Sequence, residues 1–224
     1  MIRGAIFDFD GTLVDSNPYW DMAPVAWLAS LGKEAQPDLG AKLFAMTVPE
    51  ASAYLISTYH LTQTPEEIKH GINAAMQSYY LTDVPLKPGV TRLLQAFRER
   101  NIPCAIASVT DEPLVTEVLQ KFGLLSCFSA IVSTDMVGVG KNKPDIYFRA
   151  AELLGSSPAE TLVFEDAFHA LSTAKRAGFR TVGVFDTASA ERQDEIQNYS
   201  DYYLLDFSSA AELLFGKNLH APKA

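Results

Sequence analysis

Near its start the chain reads AIFDFDGTLVD from Ala5 to Asp15, and no other segment of the sequence is as informative. Its first residues form an apolar run that predicts a buried β-strand ending at Asp8. Asp10 follows on the same side of an extended backbone, and Gly11 then allows the chain to turn away. Because an unpaired buried carboxylate is costly, this pair of acids indicates chemistry rather than packing. Asp8 is suited to attack a phosphorus atom while Asp10 handles the proton.

A calcium-binding loop and a solvated turn are the alternative interpretations of this segment. An EF-hand needs a third acidic or amide ligand and then a glycine, but Leu13 and Val14 stand where further ligands should be. An ordinary turn could carry one aspartate, yet two of them directly behind a buried strand favour the catalytic interpretation.

A second apolar run, Ile102–Ser108, predicts a strand that is buried on both faces. Ser108 at its end can donate a hydrogen bond, and the backbone amides that follow, beginning with Val109, lead into a helix that starts near Glu112. A helix N-terminus directly after a strand is a ready site for an anion such as phosphate. Capping of that helix by Ser108 and Thr110 is the alternative, and it is compatible with phosphate binding.

A third strand is predicted over residues 128–133, and the loop after it contains Lys141. A nucleotide-binding P-loop is the alternative here. It fails because Asp135 stands where the first glycine is required and Asn142 replaces the Ser or Thr that holds magnesium. The loop is better explained as carrying one lysine to a dianion, with Pro144 in the first turn of the next helix.

A fourth strand is predicted over residues 161–164, and Glu165 and Asp166 come directly after it. Together with Asp8 and Asp10 they make four acids that lie at the ends of predicted strands. The carboxyl ends of parallel strands meet in one crevice. Like charges about 4 Å apart repel by roughly 1 to 4 kcal/mol, so these acids call for a cation. These candidate ligands are all oxygens, and the segments that carry them contain no Cys or His, so Mg²⁺ fits better than zinc.

The composition is that of a soluble globular protein. The chain has 224 residues, of which 48% are hydrophobic and 20% charged, and a formal net charge of −9. This acidity argues against nucleic acid as a partner. We find no signal peptide and no apolar stretch long enough to cross a membrane, and therefore expect a cytoplasmic protein with no membrane partner. We expect a monomer, with a dimer as the alternative, and expect Cys104 and Cys127 to be core residues rather than a disulfide.

The order of predicted elements indicates an inserted domain. Residues 16–84 read as several helices, the last of them capped by Thr64, and form a helical cap domain. Residues 1–15 and 85–224 alternate strand and helix and form the core domain. This alternation predicts an α/β fold with a doubly wound, mostly parallel, Rossmann-like sheet.

The four segments resemble, in this order, those of the haloacid dehalogenase-like (HAD) superfamily, in particular its helical-cap phosphatase and β-phosphoglucomutase-like branch. The matching residues are Asp8–Ser16, Ser108, Lys141 with Pro144-Asp145, and Phe164–Asp166. The resemblance spans essentially the whole chain, and the inserted cap lies at the corresponding position.

The resemblance implies a role for each matching residue. Asp8 would be the nucleophile and Asp10 the general acid and base, while Ser108 would hold a phosphate oxygen. Lys141 would neutralise the phosphoryl group, although Lys143 is near enough in sequence to compete for this role.

The resemblance also implies a metal site. Asp8, Asp166 and the backbone carbonyl of Asp10 would bind Mg²⁺, and Glu165 would assist in the first or second coordination shell. Asn17, Trp20 and Thr47 of the cap are candidates for lining the substrate pocket, although core packing explains Trp20 equally well.

The resulting prediction is a Mg²⁺-dependent hydrolase of small phosphorylated metabolites, such as sugar phosphates, that forms an aspartyl-phosphate. A β-phosphoglucomutase-like phosphotransferase is the first alternative. Those relatives carry a His where Trp20 stands, and a cap arginine that the segment 42–47 lacks. A non-catalytic phosphate-binding regulatory protein is the second alternative, but it would be expected to lose one of the four groups, and none is missing.

Overall fold

The computed structural model describes residues 1–44, 46 and 48–216. The chain divides into two compact units. The larger unit contains Met1–Asp15 and the chain from Leu86 onward, and the smaller unit contains Ser16–Pro85.

The described part of the larger unit contains a six-stranded sheet in which all neighbouring strands are parallel, with the order β3-β2-β1-β4-β5-β6. The strands are β1 (Gly4–Phe7), β2 (Cys104–Ser108), β3 (Ala130–Ser133), β4 (Thr161–Glu165), β5 (Arg180–Val184) and β6 (Tyr202–Leu204). Because the strand order reverses beside β1, the sheet is doubly wound. The predicted fold class is therefore confirmed.

Helices account for the smaller unit and for the crossovers of the larger one. The smaller unit contains α1 (Asn17–Ser30), α2 (Leu39–Phe44), α3 (Val48–Tyr59) and α4 (Pro65–Thr82). The larger unit contains α5 (Val90–Glu99), α6 (Glu112–Lys121), α7 (Thr134–Val137), α8 (Asp145–Leu154), α9 (Phe168–Arg176), α10 (Gln193–Tyr199) and α11 (Ala210–Phe215). Within the described ranges, none of these helices combines the length and the apolar character that a membrane crossing requires.

The central strands β1, β2 and β4 are buried on both faces, which is why they read as continuous apolar runs rather than as alternating ones. On one face the ring of Phe7 stacks on Phe164 with a centroid distance of 4.3 Å, and Phe97 of α5 meets Phe7 edge-on at 5.9 Å. On the other face Tyr147 of α8 packs in a cluster with Ile6. This double burial holds the ends of the three strands in fixed positions.

The strand register brings the acidic segments to one edge of the sheet. Phe7 of β1 lies opposite Ile106 of β2 and opposite Phe164 of β4. Asp8 and Glu165, the residues that follow Phe7 and Phe164, therefore lie at the same level. This carboxyl edge, beside the reversal in strand order, is where open α/β sheets bind ligands.

The two cysteines are not joined in a disulfide, as predicted. Cys104 is buried in β2, and its burial raises the pKa of the thiol to about 12. Cys127 differs from the core position predicted for it, since its side chain is only half-buried.

The smaller unit has an apolar core of its own. Its buried side chains are Trp27, Leu28, Leu39, Leu55, Tyr59, Leu61 and Ile68. Helix α4 begins with the predicted cap: the backbone amide of Glu67 donates to Thr64 Oγ1, and the Glu67 carboxylate accepts from the amide of Thr64 at 2.7 Å. The prediction for Thr64 is confirmed.

Gly71 allows α1 and α4 to approach closely within the smaller unit. A Cβ atom at this position would lie 1.9 Å from Nε1 of Trp27, whose side chain is buried and cannot move away. We expect Gly71→Ala to lower the free energy of unfolding by about 1–3 kcal/mol, because the overpacking outweighs the better helix propensity of alanine. Urea unfolding measures this, with Ser78→Ala on the exposed side of α4 as a control. A variant as stable as the wild type would contradict the close contact.

Candidate active site

Asp8 lies directly after β1, where its backbone amide donates to the carbonyl of Phe164 at 3.0 Å. The chain then folds back on itself, because the amides of Leu13 and Val14 both donate to the carbonyl of Phe9. Gly11 adopts a φ of 72° in this turn, a conformation that favours glycine. The turn leaves Asp8 buried and Asp10 half-buried at the carboxyl edge of the sheet.

Lys141 reaches the same place from the loop after α7. Its buried ammonium group donates to the carboxylate of Asp8 and to Glu165 Oε1 at 2.8 Å. Burial alone would lower the pKa of Lys141, but the charges of Asp8 and Glu165 outweigh it and raise the pKa above its ordinary value. Lys143 is exposed. Of the two candidate lysines, therefore, Lys141 is the one that lies against Asp8.

Glu165 is the last residue of β4 and Asp166 follows it, and both are buried. Glu165 Oε1 also accepts a hydrogen bond of 2.7 Å from the hydroxyl of Tyr147. Burial, followed by repulsion from Asp8, raises the pKa of Glu165, although Lys141 opposes this shift. Burial and repulsion from Asp8 and Glu165 also raise the pKa of Asp166 well above its ordinary value. The protein thus holds these acids together against their mutual repulsion.

The acids at this edge fit a hard divalent cation. Asp8, Glu165 and Asp166 each offer a carboxylate oxygen, and the three oxygens lie within 4.8 Å of one another. An all-oxygen set of this charge suits Mg²⁺. The carboxylate of Asp10 is not part of this cluster.

The side chain of Asp10 is instead hydrogen-bonded to the segment after β2. The hydroxyl of Thr110 donates to Asp10 Oδ2 at 2.6 Å, and the amide of Thr110 donates to Ser108 Oγ at 2.9 Å. Ser108 is buried, whereas Val109 is 65% exposed. Neither Ser108 nor Thr110 caps α6, since the residue at the N-cap position is Asp111. The capping alternative is therefore wrong.

Three hydroxyl groups that sequence reasoning missed hold the acids in place. Two of them belong to Thr110 and Tyr147, and the third belongs to Thr12, whose Oγ1 lies 3.3 Å from both Asp8 Oδ2 and Asp166 Oδ1. Thr12 stands in the opening segment and could have been found by asking what holds its acids. The sequence carries no comparable signal that Tyr147 donates to Glu165 or that Thr110 donates to Asp10.

A buried ion pair at the same edge was also missed. Asp186, just beyond β5, is completely buried, and its Oδ2 lies 2.5 Å from the ammonium group of Lys87. Lys87 also donates to the carbonyl of Phe185 at 2.8 Å, and Asp186 Oδ1 accepts from the amide of Ala188. The charge of Asp186 adds to the repulsion that raises the pKa of Asp166.

The predicted pocket residues of the cap lie in the smaller unit. Asn17 begins α1 and is half-buried. Trp20 is half-buried as well, and its ring meets Tyr80 edge-on at 6.5 Å, as its packing interpretation requires. Thr47 lies outside the described residues.

Comparison with known proteins extends this description. A family model described as haloacid dehalogenase-like hydrolase matches residues 2–178. Hexitol phosphatase B of Escherichia coli K12 is 29% identical over 220 residues, which cover 95% of each chain. Beta-phosphoglucomutase of Bacillus subtilis is 28% identical over 190 residues, which cover 82% of this chain and 83% of that protein. The crystal structure of CbbY from Rhodobacter sphaeroides with phosphate aligns with a TM-score of 0.79 at 25% identity, over 93% of this chain and 96% of that one.

Proposed function

Because the chain belongs to the haloacid dehalogenase-like hydrolases, as its sequence predicted, we propose that it is a Mg²⁺-dependent phosphatase of small phosphomonoesters, in particular phosphorylated sugars. One observation carries the proposal. The buried carboxylate of Asp8 lies against Lys141 and in a cluster of acidic oxygens suited to a cation. The ammonium group of Lys141, and a cation when one is bound, would offset the charge of Asp8 and allow it to approach the phosphorus of a dianionic ester.

In the proposed first step, an oxygen of Asp8 forms a bond to phosphorus as the bond from phosphorus to the leaving oxygen breaks. Asp10 gives its proton to the leaving alkoxide. Lys141 and Ser108, with the backbone amide of Val109, bind the phosphoryl oxygens. This step leaves a phosphoaspartate at residue 8 and an alcohol that can depart.

In the proposed second step, water attacks the phosphorus of the phosphoaspartate, and Asp10 accepts the proton. Inorganic phosphate leaves, and Asp8 is restored as a carboxylate. Asp8, Asp166 and Glu165 would hold Mg²⁺, with the Asp10 carbonyl as a further ligand. When bound, Mg²⁺ stabilises the negative charge on the transferring phosphoryl group. Lys141 neutralises the charge of Asp8 at the start of each cycle. This lowers the repulsion between the carboxylate and the anionic phosphate ester as the ester binds.

Two similar proteins, both named as phosphatases of phosphorylated carbohydrates or hexitols, support phosphorylated sugars as the proposed class of substrate. Hexitol phosphatase B and a phosphorylated carbohydrates phosphatase of Thermotoga maritima are similar to this chain over 95% and 81% of its length. We assign the choice of substrate to the inserted residues 16–84, as the resemblance implies.

The proposal predicts Mg²⁺-dependent release of phosphate from a panel of hexose, hexitol and pentose phosphates. Activity should be lost on chelation with EDTA and should return when Mg²⁺ is added, because the clustered acids repel one another and the substrate without a cation. A colorimetric phosphate assay measures this.

The same assay separates the alternatives. The similarity to beta-phosphoglucomutase of Bacillus subtilis supports a phosphotransferase as the second candidate. Interconversion of glucose phosphates without net phosphate release would favour that candidate. Binding of phosphate esters without any turnover would favour the regulatory alternative. Either result would contradict the proposed hydrolysis.

A further inference from the structure

Thr110 contacts two of the proposed reactive groups at once. Its amide donates to Ser108 Oγ, and its hydroxyl donates to Asp10 Oδ2 at 2.6 Å, which is a short hydrogen bond for a hydroxyl donor. Thr110 itself is 9% exposed. It therefore links the segment after β2 to the turn after β1.

Asp10 differs in its surroundings from the other acids at this edge. Asp8 and Glu165 contact the ammonium group of Lys141, and Asp8 and Asp166 share the hydroxyl of Thr12. The carboxylate of Asp10 stands outside that cluster and is hydrogen-bonded by Thr110 instead.

The position of Thr110 is set by the sheet, not by the turn that carries Asp10. Strand β2 pairs in parallel with β1, and Ser108 at the end of β2 is held in turn by its pairing with Ser133 of β3. A hydrogen bond from this segment to Oδ2 restricts the rotation of the Asp10 carboxyl group.

We infer that Thr110 is a positioning residue that orients Asp10 for proton transfer to the leaving oxygen. The inference rests on the proposed phosphatase reaction. In the first step the bond between Asp8 and phosphorus forms, the bond from phosphorus to the leaving oxygen breaks, and the proton of Asp10 moves to that oxygen. Thr110 takes no part in the bond changes, because its hydroxyl and its amide donate to Asp10 and Ser108 and it acts through them.

An effect on proton transfer depends on the leaving group. A sugar alkoxide is a strong base and cannot leave efficiently without a proton. The p-nitrophenolate ion is a weak base and leaves unprotonated. A misoriented Asp10 should therefore slow the phosphorylation of Asp8 by a sugar phosphate far more than its phosphorylation by p-nitrophenyl phosphate.

The test compares Thr110→Val with Thr110→Ser. Valine keeps the shape and removes the hydroxyl, whereas serine keeps the hydroxyl. For each protein, kcat/KM is measured with glucose 6-phosphate, or with the best sugar phosphate of the panel, and with p-nitrophenyl phosphate at saturating Mg²⁺. The value of kcat/KM reports on all steps up to and including the first irreversible one, and departure of the leaving group is among these steps.

We expect Thr110→Val to lower kcat/KM for the sugar phosphate by about 10- to 100-fold and that for p-nitrophenyl phosphate by less than about threefold. Thr110→Ser should restore most of the loss, and Thr116→Val, a half-buried control in α6, should match the wild type. The ratio of the two constants is measured on one preparation. It is therefore independent of how much of the variant is folded.

Three outcomes would overturn the inference: equal losses with both substrates, no loss with either, or a serine variant as impaired as the valine variant. Failure of the proposed function has a different signature. A wild-type protein that releases phosphate from neither substrate would contradict the phosphatase itself, and the inference with it. An active wild type with an unselective valine variant contradicts the inference alone.

Discussion

Asp8→Asn is expected to lower the rate of phosphate release by about four orders of magnitude or more. The amide has almost the shape of the carboxylate, but it lacks the charge and the nucleophilic oxygen that would form the phosphoaspartate. Lys141 keeps Glu165 as an acceptor at 2.8 Å, so the loss should come from chemistry rather than from unfolding. A continuous phosphate assay with the best substrate of the panel measures the effect.

Two further measurements complete this test. Asp135→Asn makes the same chemical change at an exposed position and should keep the wild-type rate. The midpoint of thermal unfolding of Asp8→Asn should be equal to or above that of the wild type, because one charge is removed from a set of acids that repel one another. A folded Asp8→Asn protein that retains a tenth of the wild-type rate or more would remove Asp8 as the nucleophile.

The largest effect on stability is expected from the buried ion pair of Lys87 and Asp186. We expect Lys87→Met to lower the free energy of unfolding by about 3–5 kcal/mol, because it leaves the carboxylate of Asp186 buried without its cation. Urea unfolding followed by circular dichroism measures the change.

A double-mutant cycle identifies the cause of that loss. Adding Asp186→Asn to Lys87→Met should recover most of the stability, since the amide removes the charge and still accepts from the amide of Ala188. The exposed pair Arg149–Glu152 is the control, and Arg149→Met should change stability by less than about 0.5 kcal/mol. A loss in Lys87→Met below about 1 kcal/mol, or no recovery in the double variant, would contradict this account.

Much of the larger unit could be predicted because its strands carry a local signal. Residues 5–7, 104–108 and 161–164 lie in central strands that are buried on both faces, so each appears as an unbroken apolar run. The acids that follow these runs stood out because nothing in packing explains them. The short helices α7 and α10 were not predicted.

The burial and the contacts of a side chain were harder to predict than the strand or loop that carries it. Lys141 and Lys143 lie two positions apart and have the same chemistry, yet one is buried against Asp8 and the other is exposed. For Cys127 the neighbouring strand suggested burial, but the residue ends a short 3₁₀ turn and is half-buried.

The amino-acid sequence by itself determined the class of the fold, the insertion of a helical segment and the identity of the acids that follow the strands. These are consequences of hydrophobic patterning and of chain order, which are local properties. Only the tertiary structure decided which groups hold those acids. Thr110 meets Asp10 across 100 positions of chain, and Lys87 meets Asp186 across 99. Such contacts depend on which strands are neighbours and in what register, and this is settled by the packing of the whole sheet rather than by any one segment.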